Sequence, residues 1–122
     1  MELRSGVDLI EIERFDRIEP RIHERFIHRV LTAQERLEVK DSNATLAGKF
    51  AAKEAVVKAL GCGIGLVSFQ EIEILHDANG QPKLHLYKNA RRIAEEQNLK
   101  VWSVSISHSQ HYAVAVAIFA GE

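Results

Sequence analysis

The sequence predicts an α+β fold in which an antiparallel sheet packs on one long central helix. Between residues 12 and 60, apolar residues recur mainly at helical spacing. After residue 69 the spacing changes to the alternation typical of strands, with turn residues at the distances that hairpins need. Early helices and late strands in a chain of 122 residues, without a linker or a repeat, indicate a single domain over residues 1–122.

The first elements are one strand followed by short helices. Residues 3–10 are mostly apolar, with Asp8 as the exception, and are predicted to form a strand. Helical spacing follows over residues 12–27, where Pro20 is expected to divide the segment into two short helices. Residues 32–35 have the threonine and glutamate spacing of a capping box, so another short helix is expected to begin there.

The next helix is the clearest element of the sequence. Alanines and leucines carry it over residues 44–60, and either Ser42 or Asn43 can cap its first turn. Gly61 is placed to end it, because glycine adopts the left-handed conformation in which many helices terminate. Residues 61–65 contain three glycines and are predicted to be a loop.

The second half of the chain is predicted to contain antiparallel strands and one more helix. Residues 69–75 alternate between apolar and acidic side chains, as a half-buried strand does. Residues 77–80 are predicted to turn the chain, since Asn and Gly both tolerate positive φ, and Leu84 and Leu86 continue the alternation on a partner strand. A helix and two closing strands complete the order, over residues 89–98, 101–107 and 112–119.

Composition and charge argue against several classes of function. The net charge is −1 and the pI is about 6.6, so the molecule as a whole has no affinity for nucleic acid. No apolar run is long enough to span a membrane, and the first residues lack the order of a secretion signal. Cys62 is the single cysteine and cannot form an internal disulfide, so a cytoplasmic location is expected.

Positive charge is concentrated in one short segment. Two interpretations of it are open: a solvated helical face, or a basic surface for an acidic partner. The segment contains five arginines, Arg14, Arg17, Arg21, Arg25 and Arg29.

Glu54 is the first candidate for chemistry. It lies in the middle of the long helix, on a face that it shares with Ala47 and Ala51, so a ligand or another backbone could approach it closely. The alternative is a simple ion pair with Lys58 one turn later, worth ~0.2–0.5 kcal/mol.

Asp8 is the second candidate, because a carboxylate inside an apolar strand is costly to bury unless it is paired or binds a metal. It could mark the end of the strand and cap the following turn. It could instead join Glu54 in a magnesium site, where phosphate oxygens and waters would complete the octahedron. The residues alone leave both possibilities open.

The glycine-rich loop at residues 61–65 permits two interpretations as well. Backbone N–H groups at Gly63 and Gly65 could approach phosphates without obstruction, or the loop could be only a helix terminus. It lacks the lysine and hydroxyl residue that end a P-loop. Three lysines would supply positive charge beside it, Lys49, Lys53 and Lys58.

His108 ends a predicted strand and is either a surface histidine or a ligand contact. Its spacing from His111 would suit zinc, but a predicted turn without cysteine partners argues against a zinc site. Cys62 has no activating base near it in the sequence, so a cysteine nucleophile is not expected.

The order of the motifs is more informative than any one of them. Together they resemble the holo-[acyl-carrier-protein] synthase family over essentially the whole chain. The motifs are Gly6-Val7-Asp8 followed by Arg14, Phe50-Ala51-Ala52-Lys53-Glu54-Ala55 followed by Lys58-Ala59, Gly63-Ile64-Gly65, Asn79-Gly80-Gln81-Pro82 and Ser105-Ile106-Ser107-His108.

The resemblance implies a phosphopantetheinyl transferase fold and a Mg²⁺-dependent cytoplasmic enzyme of fatty acid biosynthesis. Such an enzyme would transfer 4′-phosphopantetheine from coenzyme A to a serine of acyl carrier protein and release adenosine 3′,5′-bisphosphate. The resemblance also implies a homotrimer with active sites between subunits.

By position, the resemblance assigns roles to individual residues. Asp8 and Glu54 would hold Mg²⁺ and, with Lys58, form the catalytic group. The contacts to coenzyme A would come from Lys49, Lys53, Lys58, Gly63, Gly65, Pro82 and His108. The acidic carrier protein would bind Arg14 together with Arg21 and Arg25, between which the resemblance does not decide.

Three other hypotheses fit parts of the pattern. A Mg²⁺-dependent phosphotransferase or hydrolase of another nucleotide would use the same carboxylates and glycine loop. A non-catalytic module would bind an acidic partner through the arginines and would need neither Asp8 nor Glu54. A purely structural α+β oligomer would need none of these residues for chemistry.

Overall fold

Five strands and five helices form the protein, and the computed structural model describes all of residues 1–122. The strands are β1 (Glu2–Glu11), β2 (Ile72–His76), β3 (Pro82–Leu86), β4 (Val101–His108) and β5 (Tyr112–Gly121). The helices are α1 (Glu13–Asp16), α2 (Pro20–Val30), α3 (Ala33–Val39), α4 (Asn43–Leu60) and α5 (Lys88–Glu96), with a short 3₁₀ turn at Phe69–Glu71.

The strands form two separate antiparallel sheets instead of one continuous sheet. One has the order β1-β5-β4 and the other is the β2–β3 hairpin. The two meet where the Trp102 indole N–H of β4 donates to the Leu84 carbonyl of β3 at 3.1 Å. A side-chain bond, not a backbone ladder, therefore joins the hairpin to the larger sheet.

α4 packs on the inner face of the larger sheet and is buried along almost all of its length. Small side chains such as Ala51 and Ala55, both fully buried, permit this close packing. At Gly6 of β1, an added Cβ would lie only 2.0 Å from the Ala55 carbonyl oxygen. Only glycine fits where strand and helix approach so closely. No helix has both the length and the apolar content needed to cross a membrane.

The helix ends follow the sequence signals. Ser42 caps α4 by accepting the Thr45 N–H at 3.1 Å, and Gly61 ends the helix with φ of 70°. Thr32 and Glu35 form the expected capping box at the start of α3. The expected break at Pro20 is also confirmed, because Pro20 begins α2 after a gap that follows α1.

The start of β2 differs from the sequence prediction. Phe69–Glu71 is a 3₁₀ turn, and the strand begins only at Ile72. The Glu71 N–H donates to the Ser68 carbonyl at 3.0 Å, while the Glu71 carboxylate accepts the Ser68 N–H at 3.4 Å. These local bonds compete with strand pairing for the same backbone groups.

The turn between β2 and β3 is longer than a two-residue hairpin turn. His76 pairs with Pro82, which leaves residues 77–81 in the loop. Gly80 alone has positive φ, at 80°, whereas Asn79 does not. The Asp77 carboxylate organises the loop by accepting the Asn79 and Gln81 N–H groups at 2.9 and 3.0 Å.

The outer face of the larger sheet is uncovered and carries exposed apolar side chains together with Ser5, Ser103, Ser105 and Ser107. Alternate residues of its strands point away from α4, and several large side chains on this face are exposed. They are Leu3, Val7, Leu9, Val101, Tyr112 and Ile118. A face with this many exposed large apolar side chains usually marks an interaction surface.

Candidate active site

Asp8 lies in the middle of β1, on the face that packs against α4. Its side chain is 15% exposed, and its Oδ1 accepts a hydrogen bond from the Lys58 Nζ at 3.0 Å. Its Oδ2 is buried and has no partner. Because β1 continues to Glu11, Asp8 is not a strand-end cap, and the alternative of a structural cap is wrong.

Lys58 joins the last turn of α4 to β1. Its ammonium donates to the Val7 carbonyl at 2.9 Å as well as to Asp8. The ion pair of Lys58 is therefore with Asp8, not with Glu54 one turn earlier on the helix. The Lys58 side chain is still 54% exposed, so its charge can also act on a ligand.

Glu54 lies one helical turn before Lys58 and feels the charge of Asp8. Partial burial raises the pKa of Glu54, and the negative charge of Asp8 raises it further, while Lys58 and Arg14 act in the opposite direction. The two carboxylates, far apart in sequence, therefore interact at one place. Like charges held together in this way repel each other unless a proton or a cation intervenes.

The carboxylates suit a hard divalent cation. Carboxylate oxygens are the ligands that Mg²⁺ prefers, and Asp8 Oδ2 is buried without a hydrogen bond. No group of three or more His, Cys, Asp and Glu side chains is arranged to hold a metal ion. An ion at Asp8 and Glu54 would therefore take its other ligands from substrate oxygens and water, as Mg²⁺ commonly does.

Arg14 lies on α1, and its charge reaches Glu54. The guanidinium stacks over the rings of Phe15 and Phe50, at 5.5 and 5.8 Å from their centroids. These aromatic contacts hold an exposed positive charge close to the carboxylates.

Two further arginines of the predicted carrier surface lie on α2. Arg21 and Arg25 are exposed and four residues apart, so they share one face of the helix. Neither guanidinium forms an ion pair within the protein. Both remain available to an acidic partner.

Lys49 and Lys53 require a correction. Both side chains are completely buried, where α4 packs against α3 and β2. Lys53 bonds to Glu35 at 2.7 Å, and Lys49 bonds to Glu38 at 2.6 Å. Because each ammonium is enclosed and already bonded, neither lysine can contact coenzyme A as the sequence analysis expected.

The other predicted contact residues lie away from Asp8 and Glu54, in three different parts of the chain. Gly63 and Gly65 are exposed in the loop after α4, with open space where a Cβ would be. Pro82 lines a groove of about 460 Å³ between β3 and β4, which contains neither Asp8 nor Glu54. His108 is exposed at the end of β4 and pairs with Ala113, two strands away from β1.

The chain matches a known protein family over most of its length. Residues 4–117 match the sequence model of the 4′-phosphopantetheinyl transferase superfamily. The chain belongs to this superfamily. It is therefore an enzyme, a phosphopantetheinyl transferase.

Individual relatives agree with the family. The holo-[acyl-carrier-protein] synthase of Herpetosiphon aurantiacus is 43% identical over 126 residues, covering 98% of this chain and 99% of the relative. The Helicobacter pylori holo-[acyl-carrier-protein] synthase in complex with coenzyme A has a TM-score of 0.85 and 33% identity, covering 95% of this chain and 99% of that one. The Bacillus anthracis synthase in complex with CoA (3′,5′-ADP) has a TM-score of 0.78 and 34% identity, covering 98% and 96%.

Two features of this phosphopantetheinyl transferase are not predicted by its motifs. The first is the contact of Phe50 with Arg14, although Phe50 stands at the start of the motif that contains Glu54. The second is the pairing of the buried lysines with Glu35 and Glu38. Glu35 was visible only as part of a capping box, and its second role depends on contacts between distant elements.

Proposed function

We propose that this phosphopantetheinyl transferase moves the 4′-phosphopantetheine group of coenzyme A to a serine hydroxyl of acyl carrier protein. The observation that carries the proposal is the interacting pair Asp8 and Glu54, with one unpartnered oxygen on Asp8 and Lys58 beside it. The relatives named holo-[acyl-carrier-protein] synthase, and the complexes with coenzyme A, support the same donor and acceptor. A single cysteine agrees with a reaction in the cytoplasm.

Asp8 and Glu54 are the residues that would hold Mg²⁺. Their oxygens have the right chemistry, and a divalent cation would relieve the repulsion between the two carboxylates. When bound there, Mg²⁺ would supply positive charge to the diphosphate of coenzyme A and to the charge that develops on it.

The reaction replaces one P–O bond by another. The serine oxygen forms a bond to the phosphorus that carries the pantetheine arm, and the bond from that phosphorus to the bridging oxygen breaks. The bridging oxygen leaves as part of adenosine 3′,5′-bisphosphate. Asp8 and Glu54 are the bases at the site that can take the serine proton, directly or through a water.

Lys58 is suited to stabilise the leaving group, because its exposed ammonium stands at the edge of the site. Gly63 and Gly65 offer backbone N–H groups in an open loop. We assign the nucleotide end of coenzyme A to the groove at Pro82 and to His108. The complex of the Bacillus anthracis relative with CoA (3′,5′-ADP) supports a bisphosphate product.

Arg14, Arg21 and Arg25 form the surface that we assign to the carrier protein. All three side chains are exposed, and Arg14 is fixed beside the site by its aromatic contacts. Exposed charges of one sign steer an oppositely charged partner, and salt weakens this attraction.

We also propose that the enzyme is a homotrimer with each active site shared between neighbours. The uncovered apolar face of the β1-β5-β4 sheet supports association. A shared site would explain why the groove at Pro82 and the carboxylates lie apart on one protomer. The groove of one subunit would then face Asp8 and Glu54 of the next.

One experiment tests the proposed reaction. Apo acyl carrier protein is incubated with coenzyme A, Mg²⁺ and the enzyme, and mass spectrometry detects the phosphopantetheine adduct on the serine. We expect the adduct with Mg²⁺ and none after chelation with EDTA. ATP in place of coenzyme A is the control for a different nucleotide enzyme.

The site assignment has its own test in the same assay. Asp8→Ala and Glu54→Ala should each abolish transfer while circular dichroism shows an intact fold. Full activity in either variant would contradict the metal site, and a wild-type enzyme that yields no adduct would contradict the proposed reaction.

A further inference from the structure

No strand lies beside the free edge of β2. Side chains form hydrogen bonds with its backbone groups instead. Lys53 Nζ donates to the Ile72 carbonyl at 2.7 Å, and the Ile74 N–H donates to Glu35 Oε2 at 2.8 Å. These bonds occupy backbone groups that a neighbouring strand would otherwise bond.

The same pattern continues toward the hairpin loop. Lys49 Nζ donates to the Ile74 carbonyl at 2.5 Å, and the His76 N–H donates to the Glu38 carboxylate at 3.2 Å. Two lysines of α4 and two glutamates of α3 thus satisfy four consecutive groups of the β2 edge. We call Glu35, Glu38, Lys49 and Lys53 the side-chain ladder.

The inner half of the ladder is fully enclosed. Lys53 and Glu35 are both 0% exposed and lie 2.7 Å apart. Lys53 uses its remaining donors on the Phe69 and Ile72 carbonyls. A buried ion pair contributes little net stability compared with apolar side chains of the same volume, so stability alone does not account for it. Its bonds do fix one geometry, because an ammonium with all three donors engaged has no alternative partner.

The β2–β3 hairpin packs Ile72, Ile74, Leu84 and Leu86 into the core, and the edge contacts add to this packing in setting its position. A two-stranded hairpin is marginally stable by itself, and it forms no backbone ladder with the larger sheet. Its β3 edge is held by one bond, from the Trp102 indole to the Leu84 carbonyl. Its β2 edge is held by the side-chain ladder.

The hairpin and α4 carry different parts of the proposed site. Pro82 and one wall of its groove belong to the hairpin, and the other wall belongs to β4. Glu54 and Lys58 belong to α4, and Glu54 is the residue next to Lys53. The position of the hairpin on α4 therefore fixes the groove with respect to the carboxylates. This holds on one protomer and, in a trimer, between neighbours.

We propose that the side-chain ladder positions the nucleotide-binding groove with respect to the carboxylate site, which makes Glu35 and Lys53 positioning residues for coenzyme A. This inference rests on the proposed function. Loss of the ladder should raise the KM for coenzyme A. It should leave the KM for carrier protein unchanged, because the arginine surface lies on α1 and α2.

Two variants separate positioning from simple stability. Lys53→Met leaves the Glu35 carboxylate buried and unpaired, so this protein should melt at a lower temperature. The double variant with Glu35→Gln removes the unpaired charge and should recover part of the melting temperature. The recovery is partial because the glutamine amide has one oxygen for the two N–H groups, of Thr32 and Ile74, that Glu35 accepts. Methionine still cannot donate to the Phe69 and Ile72 carbonyls. We therefore expect the double variant to retain a KM for coenzyme A raised about tenfold, because the hairpin wall of the groove is no longer held in one position, with the KM for carrier protein unchanged.

The matched control is Leu99→Ala, a buried position in the core outside the ladder. It should lower the melting temperature without a change in the KM for coenzyme A. If the double variant has the wild-type KM for coenzyme A, or if both KM values rise alike, the positioning role is overturned.

A second measurement does not depend on transfer. Trp102 is the only tryptophan, and its indole binds the hairpin, so its fluorescence and the amide exchange of Ile74 and His76 report on the hairpin. We expect a shifted emission and faster exchange in the double variant, together with weaker coenzyme A binding by calorimetry. A wild-type protein that binds coenzyme A without transfer would refute the proposed function alone, and the binding data would still decide the role of the ladder. Unchanged emission, exchange and affinity in the double variant would overturn the inference.

Discussion

Asp8 places a carboxylate inside a strand, and its single ion pair satisfies only one of the two carboxylate oxygens. Lys58 occupies Oδ1, whereas Oδ2 is buried without a partner. An unpaired buried carboxylate oxygen costs free energy, so a protein retains it only where something else compensates or uses it. Because the negative charge of Glu54 lies nearby, a cation shared by the two carboxylates would compensate the unpaired oxygen of Asp8.

The convergence of the two carboxylates can be measured directly. Asp8→Asn removes the negative charge that, after burial, is the second cause of the raised pKa of Glu54. We therefore expect the pKa of Glu54 to fall toward its ordinary value of 4.5. The measurement is a carboxyl ¹³C NMR titration in the absence of divalent cations. Asp41→Asn, at an exposed position between α3 and α4, is the control and should leave this pKa unchanged. A pKa of Glu54 that does not move in Asp8→Asn would show that the two groups do not meet.

Arg14 is the arginine whose position the structure fixes best. Its stacking on Phe15 and Phe50 holds the charge beside the site, so reversing the charge should repel an acidic carrier protein. For Arg14→Glu we expect the KM for carrier protein to rise about tenfold or more, the effect of roughly 1.4 kcal/mol, with a much smaller change in the KM for coenzyme A. Steady-state kinetics at low and high salt provide the measurement. Arg91→Glu, at an exposed arginine on α5, is the matched control. Equal changes in both KM values for Arg14→Glu would rule out a docking role.

At the scale of elements, local sequence signals predict where helices end. They do not predict which distant residues a side chain contacts. Ser42, one of the two predicted caps, begins α4, and Gly61 ends it as predicted. Both predictions hold because capping depends on residues within one turn. Lys49 and Lys53 were misassigned because a lysine near a glycine loop can equally point to the other side of the helix. The direction of each lysine side chain depends on acidic residues of α3 and carbonyl groups of β2. The helical periodicity of α4 contains no information about these distant groups.

The approach of β1 to α4 is the contact that brings Asp8 to the helix. Gly6→Ala would place a Cβ 2.0 Å from the Ala55 carbonyl oxygen, so the strand or the helix must move. We expect the free energy of unfolding to fall by about 3 kcal/mol, at the upper end of the cost of overpacking. Urea denaturation followed by circular dichroism measures it. Gly63→Ala is the matched glycine control, because open space surrounds that position and its stability should hardly change. A Gly6→Ala protein as stable as the wild type would contradict this packing.

The outer half of the side-chain ladder gives a pH dependence to the attachment of the hairpin. Burial alone would raise the pKa of Glu38, but its hydrogen bonds with Lys49 and His76 outweigh burial and lower it below the ordinary value of 4.5. A carboxylate with a lowered pKa in the folded state stabilises the protein above the unfolded value and loses that contribution as the pH falls through the folded value.

A comparison with Glu38→Gln isolates this contribution. The difference in unfolding free energy between wild type and Glu38→Gln should shrink as the pH falls below about 4.5. Chemical denaturation over a series of pH values measures it. Glu96→Gln, at an exposed residue of α5, is the control and should follow the wild-type curve closely. A difference that grows toward acidic pH would reverse the sign and contradict the role of Glu38.

At the scale of the whole molecule, the α+β class and the antiparallel pairing followed from the sequence, but the division into two sheets did not. Alternating residues predict a strand and its buried face, and they do not say which edges pair. The hairpin stands apart because its β2 edge is occupied by side chains and its β3 edge by Trp102. In the same way, the distribution of the site over separate surfaces could not be read from motif order. In the proposed trimer it would depend on how folded protomers meet.

The apolar sheet face is where subunits are expected to meet, and Ile118 lies near its centre on β5. Its side chain is 44% exposed, and its strand neighbours are Ser5 on β1 and Ser103 on β4. Ile118→Glu would place a charge in a desolvated interface, which association does not tolerate. We expect a folded monomer by analytical ultracentrifugation, and transfer activity reduced at least about a hundredfold, since an incomplete site loses the positioning on which catalysis depends. Leu37→Glu replaces an apolar residue on α3 that is 69% exposed and lies outside the sheet, so it should keep both the trimer and the activity. A monomeric Ile118→Glu protein with full activity would show that each protomer contains a complete site.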